Sequence, residues 1–286
     1  MRVLIAGATG YLGKYITEEL ISQGYETKAI VRNKKKLQIE SPLLEIVHAE
    51  VTKPDSLNNI CNDVDVVISS IGITRQKDGL TYMDVDYQAN LNLLNQAKKS
   101  GVKKFIYVSV FNGEKMRHLK MCEAKEKFVD ELKNSDIDYC VVRPTGFFSD
   151  MLDLLTMAKK GRIYLFGNGE LKLNPIHGKD LAKEIVNLIL ESKVELSIGG
   201  PDVFTQRELA ELAFDSCRKS VKITYIPDFI RRFLSKILRY LTPLSVYGQV
   251  EFFLKAMGMS MVAPICGEHH LAQFFAEEVR KDKDIK

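Results

Sequence analysis

No stretch of the 286-residue chain approaches the ~20 consecutive apolar residues that a bilayer-spanning helix needs. Cysteine is sparse: Cys61, Cys122, Cys140, Cys217 and Cys266 are odd in number, scattered, and form no Cys-x-x-Cys pair. This argues against a disulfide scaffold and predicts free, mostly buried thiols in a reducing compartment. The opening residues lack the charged-then-apolar build of a secretory signal, because MRVLIAGATG already reads as a strand running into a glycine loop. A cytoplasmic protein is the expectation. Charge of one sign is scarce as well, with 41 basic against 37 acidic residues and a formal net charge of +4. The two signs are interspersed, whereas nucleic-acid binding requires a clustered basic face. Internal repeats, low-complexity segments and flexible linkers are absent too.

What is present is an alternation. Short apolar runs at 3–6, 27–31, 44–48, 64–69, 104–109 and 139–142 read as six strands. The first helix between them carries Leu12, Tyr15, Ile16, Leu20 and Ile21 on one face and is closed by Gly24. Further helices cover 85–99 and 123–133. Short apolar strands alternating with amphipathic helices indicate a parallel sheet covered on both faces. The expected fold class is α/β: a Rossmann-type doubly wound parallel sheet, its ligand lying beyond the carboxyl ends of the strands. After Pro144 the pattern changes to a helix over 147–159, an irregular glycine-bounded segment over 161–169, a helix over 179–190 and a strand over 196–198. The expected organisation is a nucleotide-binding domain over 1–198, with part of a substrate pocket at 144–176. A smaller, mainly helical C-terminal lobe over 199–286 is expected to pack on it.

Gly7-Ala8-Thr9-Gly10-Tyr11-Leu12-Gly13 joins the first strand to the first helix. In this context each glycine serves a different purpose. Gly7 permits a tight turn, Gly10 a close approach of backbone to a pyrophosphate, and Gly13 close helix–strand packing. The anion then lies at the helix N-terminus, where N–H groups and the helix dipole favour it. A protein that binds NAD places an acid about 20 residues further on, at the end of the second strand. Here that strand ends in Val31-Arg32, followed by Asn33-Lys34-Lys35-Lys36, with no acid. The planar, bidentate donors of Arg32 suit a 2′-phosphate. NADP(H) is the expected cofactor.

The GxxGxxG spacing is similar to the GATGxxG loop of the extended and atypical short-chain dehydrogenase/reductases. Further motifs extend the likeness over most of the chain. They are Ser69-Ser70-Ile71-Gly72, Asp86-Tyr87-Gln88-Ala89-Asn90-Leu91 and Phe105-Ile106-Tyr107-Val108-Ser109. Later come Val142-Arg143-Pro144-Thr145-Gly146-Phe147-Phe148, Asn174-Pro175-Ile176-His177-Gly178-Lys179-Asp180-Leu181-Ala182 and Ile198-Gly199-Gly200-Pro201. Together they resemble the NmrA-like atypical reductases, especially the divinyl chlorophyllide 8-vinyl reductase branch. The resemblance implies cofactor contacts from Gly7, Thr9, Gly10, Tyr11, Leu12, Gly13 and Arg32, with Glu50 and Val51 on the adenine side. It implies further contacts from Ser69, Ile71, Gly72, Ser109 and Lys125, and from Pro144, Thr145 and Phe147 bordering the nicotinamide.

Typical members catalyse with Ser, Tyr and Lys, the tyrosine four residues before the lysine. Ser109 and Lys125 match two of the three, but position 121 is Met. A thioether donates no proton, so alcohol dehydrogenation, carbonyl reduction and sugar-nucleotide epimerisation lose their acid/base group. Reduction of a conjugated carbon–carbon bond tolerates that loss better, since the cofactor's hydride performs the difficult step. The resembled vinyl reductases also lack the tyrosine and keep the lysine.

Phe148, Tyr164 and Phe166 are candidates for an apolar substrate wall, and His177 for a proton donor beside it. His269 and His270 are adjacent and no Cys or Asp spacing completes a metal site. Phe229, Ile230, Phe233, Leu234, Ile237, Leu238 and Leu241 recur at helical spacing opposite Arg231, Arg232, Lys236 and Arg239. Such a basic amphipathic helix can lie on an anionic membrane, cap the substrate lobe or form a dimer face. Two functional expectations stand. One is an NADP(H)-dependent reductase acting on a hydrophobic or conjugated small molecule. The other is a non-catalytic NADP(H)-binding sensor or assembly factor, as NmrA-like regulators and an accessory subunit of respiratory complex I illustrate for this fold.

Overall fold

The computed structural model describes the backbone of residues 1–73, 79–241 and 244–284, and their side chains except at 238–241, 244–247, 249 and 283–284. The chain forms two compact units, residues 1–143 with 181–196, and residues 144–180 with 197–286.

Strands β1 (Arg2–Ala6), β2 (Glu26–Val31), β3 (Leu44–His48), β4 (Val66–Ser69), β5 (Lys104–Val108), β6 (Asp138–Pro144) and β9 (Glu195–Ile198) form a seven-stranded sheet in the order β3-β2-β1-β4-β5-β6-β9. The pairs from β3 through β6 are all parallel. β4 and every residue of β5 are buried, which is why both read as continuous rather than alternating apolar runs. Helices α1 (Tyr11–Ser22), α2 (Asn90–Lys99), α3 (Lys120–Lys133) and α5 (Gly178–Asn187) belong to the same alternation. Leu4, Val67, Phe105 and Tyr107 from the strands pack with Leu93, Phe128 and Leu132 from α2 and α3 in one core. Strand order reverses between β1 and β4, so the loops leaving these two strands define the crevice in which such sheets bind ligands.

The helix expected over 85–99 begins as a π-helical turn, Met83–Ala89, before α2 takes over. A π turn inserts an extra residue per turn and is frequent at functional sites. Here it carries Asp86, which is wholly buried.

The second unit has its own core, in which Phe148, Leu155, Ile163, Leu165, Leu209, Phe214, Leu271 and Phe275 meet. It is built from α4 (Leu152–Lys160), β7 (Ile163–Phe166), β8 (Lys172–Leu173), β10 (Phe204–Thr205), α6 (Gln206–Ser216), β11 (Ile223–Ile226), α7 (Asp228–Leu241), α8 (Leu244–Ala256) and α9 (Leu271–Asp284). The segment over 161–169, expected to be irregular, holds the strand β7, which pairs in parallel with β11. Its four residues bury Ile163 and Leu165 and leave Tyr164 outward, a period of two too short to read from the sequence. The helix expected over 147–159 divides into a 3-10 turn at Phe148–Met151 followed by α4.

Candidate functional site

The loop after β1 is built on backbone packed too closely for side chains. Gly7 has φ +93°, and a Cβ there would meet the Ser70 hydroxyl at 2.6 Å. A Cβ on Gly13 would lie 2.0 Å from the Gly7 carbonyl oxygen, and one on Gly10 3.3 Å from the same atom. The Gly10 N–H donates to that carbonyl at 2.9 Å, closing the turn. α1 then starts from Gly10 with no side-chain cap. Thr9 and Tyr11 are half-buried beside the loop, and Leu12 anchors the helix in the core. This bare, tightly turned backbone at a helix N-terminus is the cradle that a pyrophosphate requires.

Arg32 is exposed at the end of β2. Glu50, after β3, is in an ion pair with Lys53 at 2.6 Å. That hydrogen bond holds its carboxyl below the ordinary range, with a lesser contribution from the charge of Arg32. The neighbouring Val51 carbonyl accepts from Asn92 on α2 at 3.1 Å, fixing the β3 loop to the helix.

Beyond β4 and β5 lies a buried polar cluster. The Ser69 hydroxyl donates to Asn90 at 2.5 Å, and the Asn90 amide donates to the Asp86 carbonyl at 2.9 Å. One Asp86 carboxyl oxygen accepts the Ile73 N–H at 3.1 Å, and the other lies 2.9 Å from the Lys125 ammonium. The lysine side chain is 11% exposed. Its ammonium stands 5.6 Å from the centre of the Tyr107 ring, which is itself packed edge-on against Phe128. Burial disfavours the lysine's charge, but Asp86 and Tyr107 outweigh it and hold the Lys125 pKa above its ordinary value. Burial also raises Asp86, against the pull of the lysine. Gly72 lies over the pair: a Cβ there would be 2.9 Å from Asp86 and 3.0 Å from the Lys125 nitrogen. Ile71, next to it, is buried.

Ser109 and Lys125 make different partnerships. The Ser109 hydroxyl donates to Glu126 at 2.9 Å, and Glu126 is fully buried in a two-pronged ion pair with Arg143 at 2.5 and 2.8 Å. Arg143 also reaches Glu195 at 2.9 Å. α3 thus turns two consecutive charged residues inward, each to its own counter-ion. Met121, one turn before Lys125, is half-buried.

In the second unit, Pro144 and Thr145 are buried and Phe147 is half-buried. The Thr145 hydroxyl donates to the Asn174 carbonyl at 2.7 Å, and Asn174 in turn ties Gly200 and Ala263. Phe148 and His177 do come together, their rings 5.4 Å apart. His177 also stacks on His269 at 4.4 Å, and its Nδ1 accepts the Lys179 N–H. Burial, then the neighbouring His269, lower its pKa, so it is a poor reservoir of protons at neutral pH. Of the residues expected in an apolar wall, Phe148, Tyr164 and Phe166, the first two do not share a surface. Phe148 is a core residue, while Tyr164 projects from the opposite face of β7 and is 49% exposed. His269 and His270 bond separate carboxylates, Asp180 and Asp202.

Asp86, Asn90, Glu126 and Arg143 were not singled out from the sequence as site residues. Their signal was present: polar residues inside otherwise apolar helical and strand faces, which burial tolerates only when they are paired.

The reversed strand order, the glycine cradle and the buried lysine define an α/β dinucleotide-binding protein of the Rossmann type. A family model described as NAD(P)H-binding matches residues 7–192, and the chain belongs to that family. It is related to divinyl chlorophyllide a 8-vinyl-reductase of Cucumis sativus, 30% identical over 93% of this chain and 71% of the relative. The photosystem II assembly factor Ycf39 of Guillardia theta is 27% identical over 79% of this chain and 74% of that protein. Among solved structures, an NADPH-dependent quinone oxidoreductase from Escherichia coli, complexed with NADPH, shares the fold with a TM-score of 0.71 at 19% identity. That likeness covers 98% of this chain and all of the other. The NmrA-like resemblance read from the motifs agrees with these relatives.

Proposed function

We propose that this chain is an NADP(H)-dependent reductase that transfers hydride to a hydrophobic or conjugated small molecule. The observation that carries the reading is Lys125, buried beneath Gly72 and held as an ammonium by Asp86 beside the β4 and β5 loops. The glycine cradle fits a pyrophosphate, because no side chain fills it, and Arg32 fits the 2′-phosphate. Bound NADPH supplies the hydride. The chain's own part is to bind and orient. Lys125 would hold the ribose on the nicotinamide side and set a positive potential there, while Asp86 and Tyr107 fix the direction of its ammonium. A lysine kept protonated by a buried carboxylate is a weak acid at neutral pH, and Met121 has no proton to give. The proton that completes reduction then comes from water or from another side chain, which suits a conjugated carbon–carbon bond better than a carbonyl. The relatives named as vinyl reductase and quinone oxidoreductase support a substrate of this kind.

A second reading, an NADP(H)-binding sensor or assembly factor without turnover, is favoured by Met121 and by the relative named as an assembly factor. Titration with NADPH, NADP⁺, NADH and NAD⁺ tests both. The expected result is tight binding of both phosphorylated forms. Loss of the charge-assisted contact in Arg32→Asp should weaken them at least about tenfold. A large preference for one redox state would favour the sensor, and no binding of any of the four would overturn the cofactor assignment itself.

A further inference from the structure

Helix α7 is oriented the wrong way round for a helix that only packs on its own protein. Arg231 points inward and is buried, its guanidinium bonded to Asp228 at 2.6 Å and to the Leu254 carbonyl of α8 at 2.8 Å. On the opposite side, Phe229 and Phe233 are 69% and 60% exposed. Arg232 and Lys236 are exposed beside them. Contrary to the sequence expectation of opposite faces, Phe229 and Phe233 share a face with Arg232 and Lys236: at 3.6 residues per turn, positions 229, 232, 233 and 236 fall within an arc of roughly 100°. Two solvent-facing aromatic rings one turn apart cost free energy in water and mark a surface that is covered in use.

The charges indicate what covers it. The only acid of α7 is Asp228, and it is already bonded to Arg231 and Arg232. The outward face therefore offers aromatic rings and cations with no acid among them. A symmetric pairing of two copies through this face would bring Arg232 and Lys236 against their own counterparts. An anionic lipid surface complements both features, taking apolar rings into the acyl–headgroup boundary and cations at the phosphates.

We propose that α7 docks this protein on an anionic membrane surface, with Phe229 and Phe233 inserted and Arg232 and Lys236 at the headgroups. The side chains of Leu238, Arg239 and Leu241, which the sequence pattern also assigned to this helix, lie outside the described residues and are not needed for the argument. The proposal stands apart from the cofactor reading, since neither nucleotide nor turnover enters it.

The test is co-sedimentation of the full chain with phosphatidylcholine vesicles and with vesicles of phosphatidylcholine and phosphatidylglycerol in equal parts. Sedimentation with the anionic vesicles only, declining as salt is raised, is expected. Arg232→Glu with Lys236→Glu should weaken it at least about 25-fold, at roughly fivefold per lost cation. Phe229→Ser with Phe233→Ser should weaken it at least about tenfold. Far-UV circular dichroism and gel filtration report whether each variant keeps its fold. The proposal is overturned if the wild-type chain stays in the supernatant, or if both double variants sediment as the wild type does. It is equally overturned if the wild type elutes as a dimer that the phenylalanine variant converts to monomer, which would make α7 a self-association face.

Discussion

Replacing Asp86 with Asn removes the counter-charge of Lys125 while keeping size and an acceptor for the Ile73 N–H. In the native protein the lysine is held above its ordinary pKa by Asp86, so its contribution to stability is fully present below about pH 10.4 and is lost as pH rises beyond the folded value. In the variant, Tyr107 alone opposes burial and the lysine pKa falls. Removing one partner of a buried ion pair costs about 3–5 kcal/mol. The lysine can limit that cost by losing its proton, at about 1.4 kcal/mol for each unit between ambient pH and 10.4. The ceiling is thus about 4.6 kcal/mol at pH 7 and about 1.9 kcal/mol at pH 9. The neutral amide of the Asp86→Asn variant also escapes the burial penalty that raises the native carboxyl, which offsets part of the loss. The expected deficit is about 2–4 kcal/mol at pH 7, shrinking by half or more at pH 9. Urea unfolding followed by far-UV circular dichroism at the two pH values measures it. The same deficit at both, or one below about 1 kcal/mol at pH 7, would mean that Lys125 is solvated and not held by Asp86.

Two further pairs of substitutions test the cradle and the core of the second unit. Gly13→Ala places a methyl 2.0 Å from the Gly7 carbonyl oxygen and should destabilise the fold by about 1–3 kcal/mol in urea unfolding, whereas Gly10→Ala, at 3.3 Å, should destabilise it less. Equal effects would count against close helix–strand packing as the reason for the glycine. Phe148→Ala should cost about 3–5 kcal/mol, since the ring is sealed in the core of the second unit. Tyr164→Ala should change stability by no more than about 0.5 kcal/mol. A stability loss at Tyr164 as large as at Phe148 would contradict the outward placement of Tyr164 on β7.

The sequence by itself determined the layered α/β architecture, the position of the glycine loop, the absence of an acid after β2 and the absence of a tyrosine at 121. These are properties of neighbours along the chain: apolar periodicity sets strand and helix, and a turn too tight for a Cβ demands glycine wherever it occurs. Only the tertiary structure decided which charged residues are partners. Lys125 and Glu126 are adjacent along the chain, and the fold buries both, one against Asp86 and the other against Arg143. Phe148 and Tyr164 looked alike as candidate pocket residues, but the first is sealed in the core and the pleat of a four-residue strand turns the second outward. The direction in which α7 turns Phe229 and Arg231 was also decided there. A helical repeat names an apolar face, but the contacts of Arg231 with Asp228 and α8 determine which side of the helix faces inward.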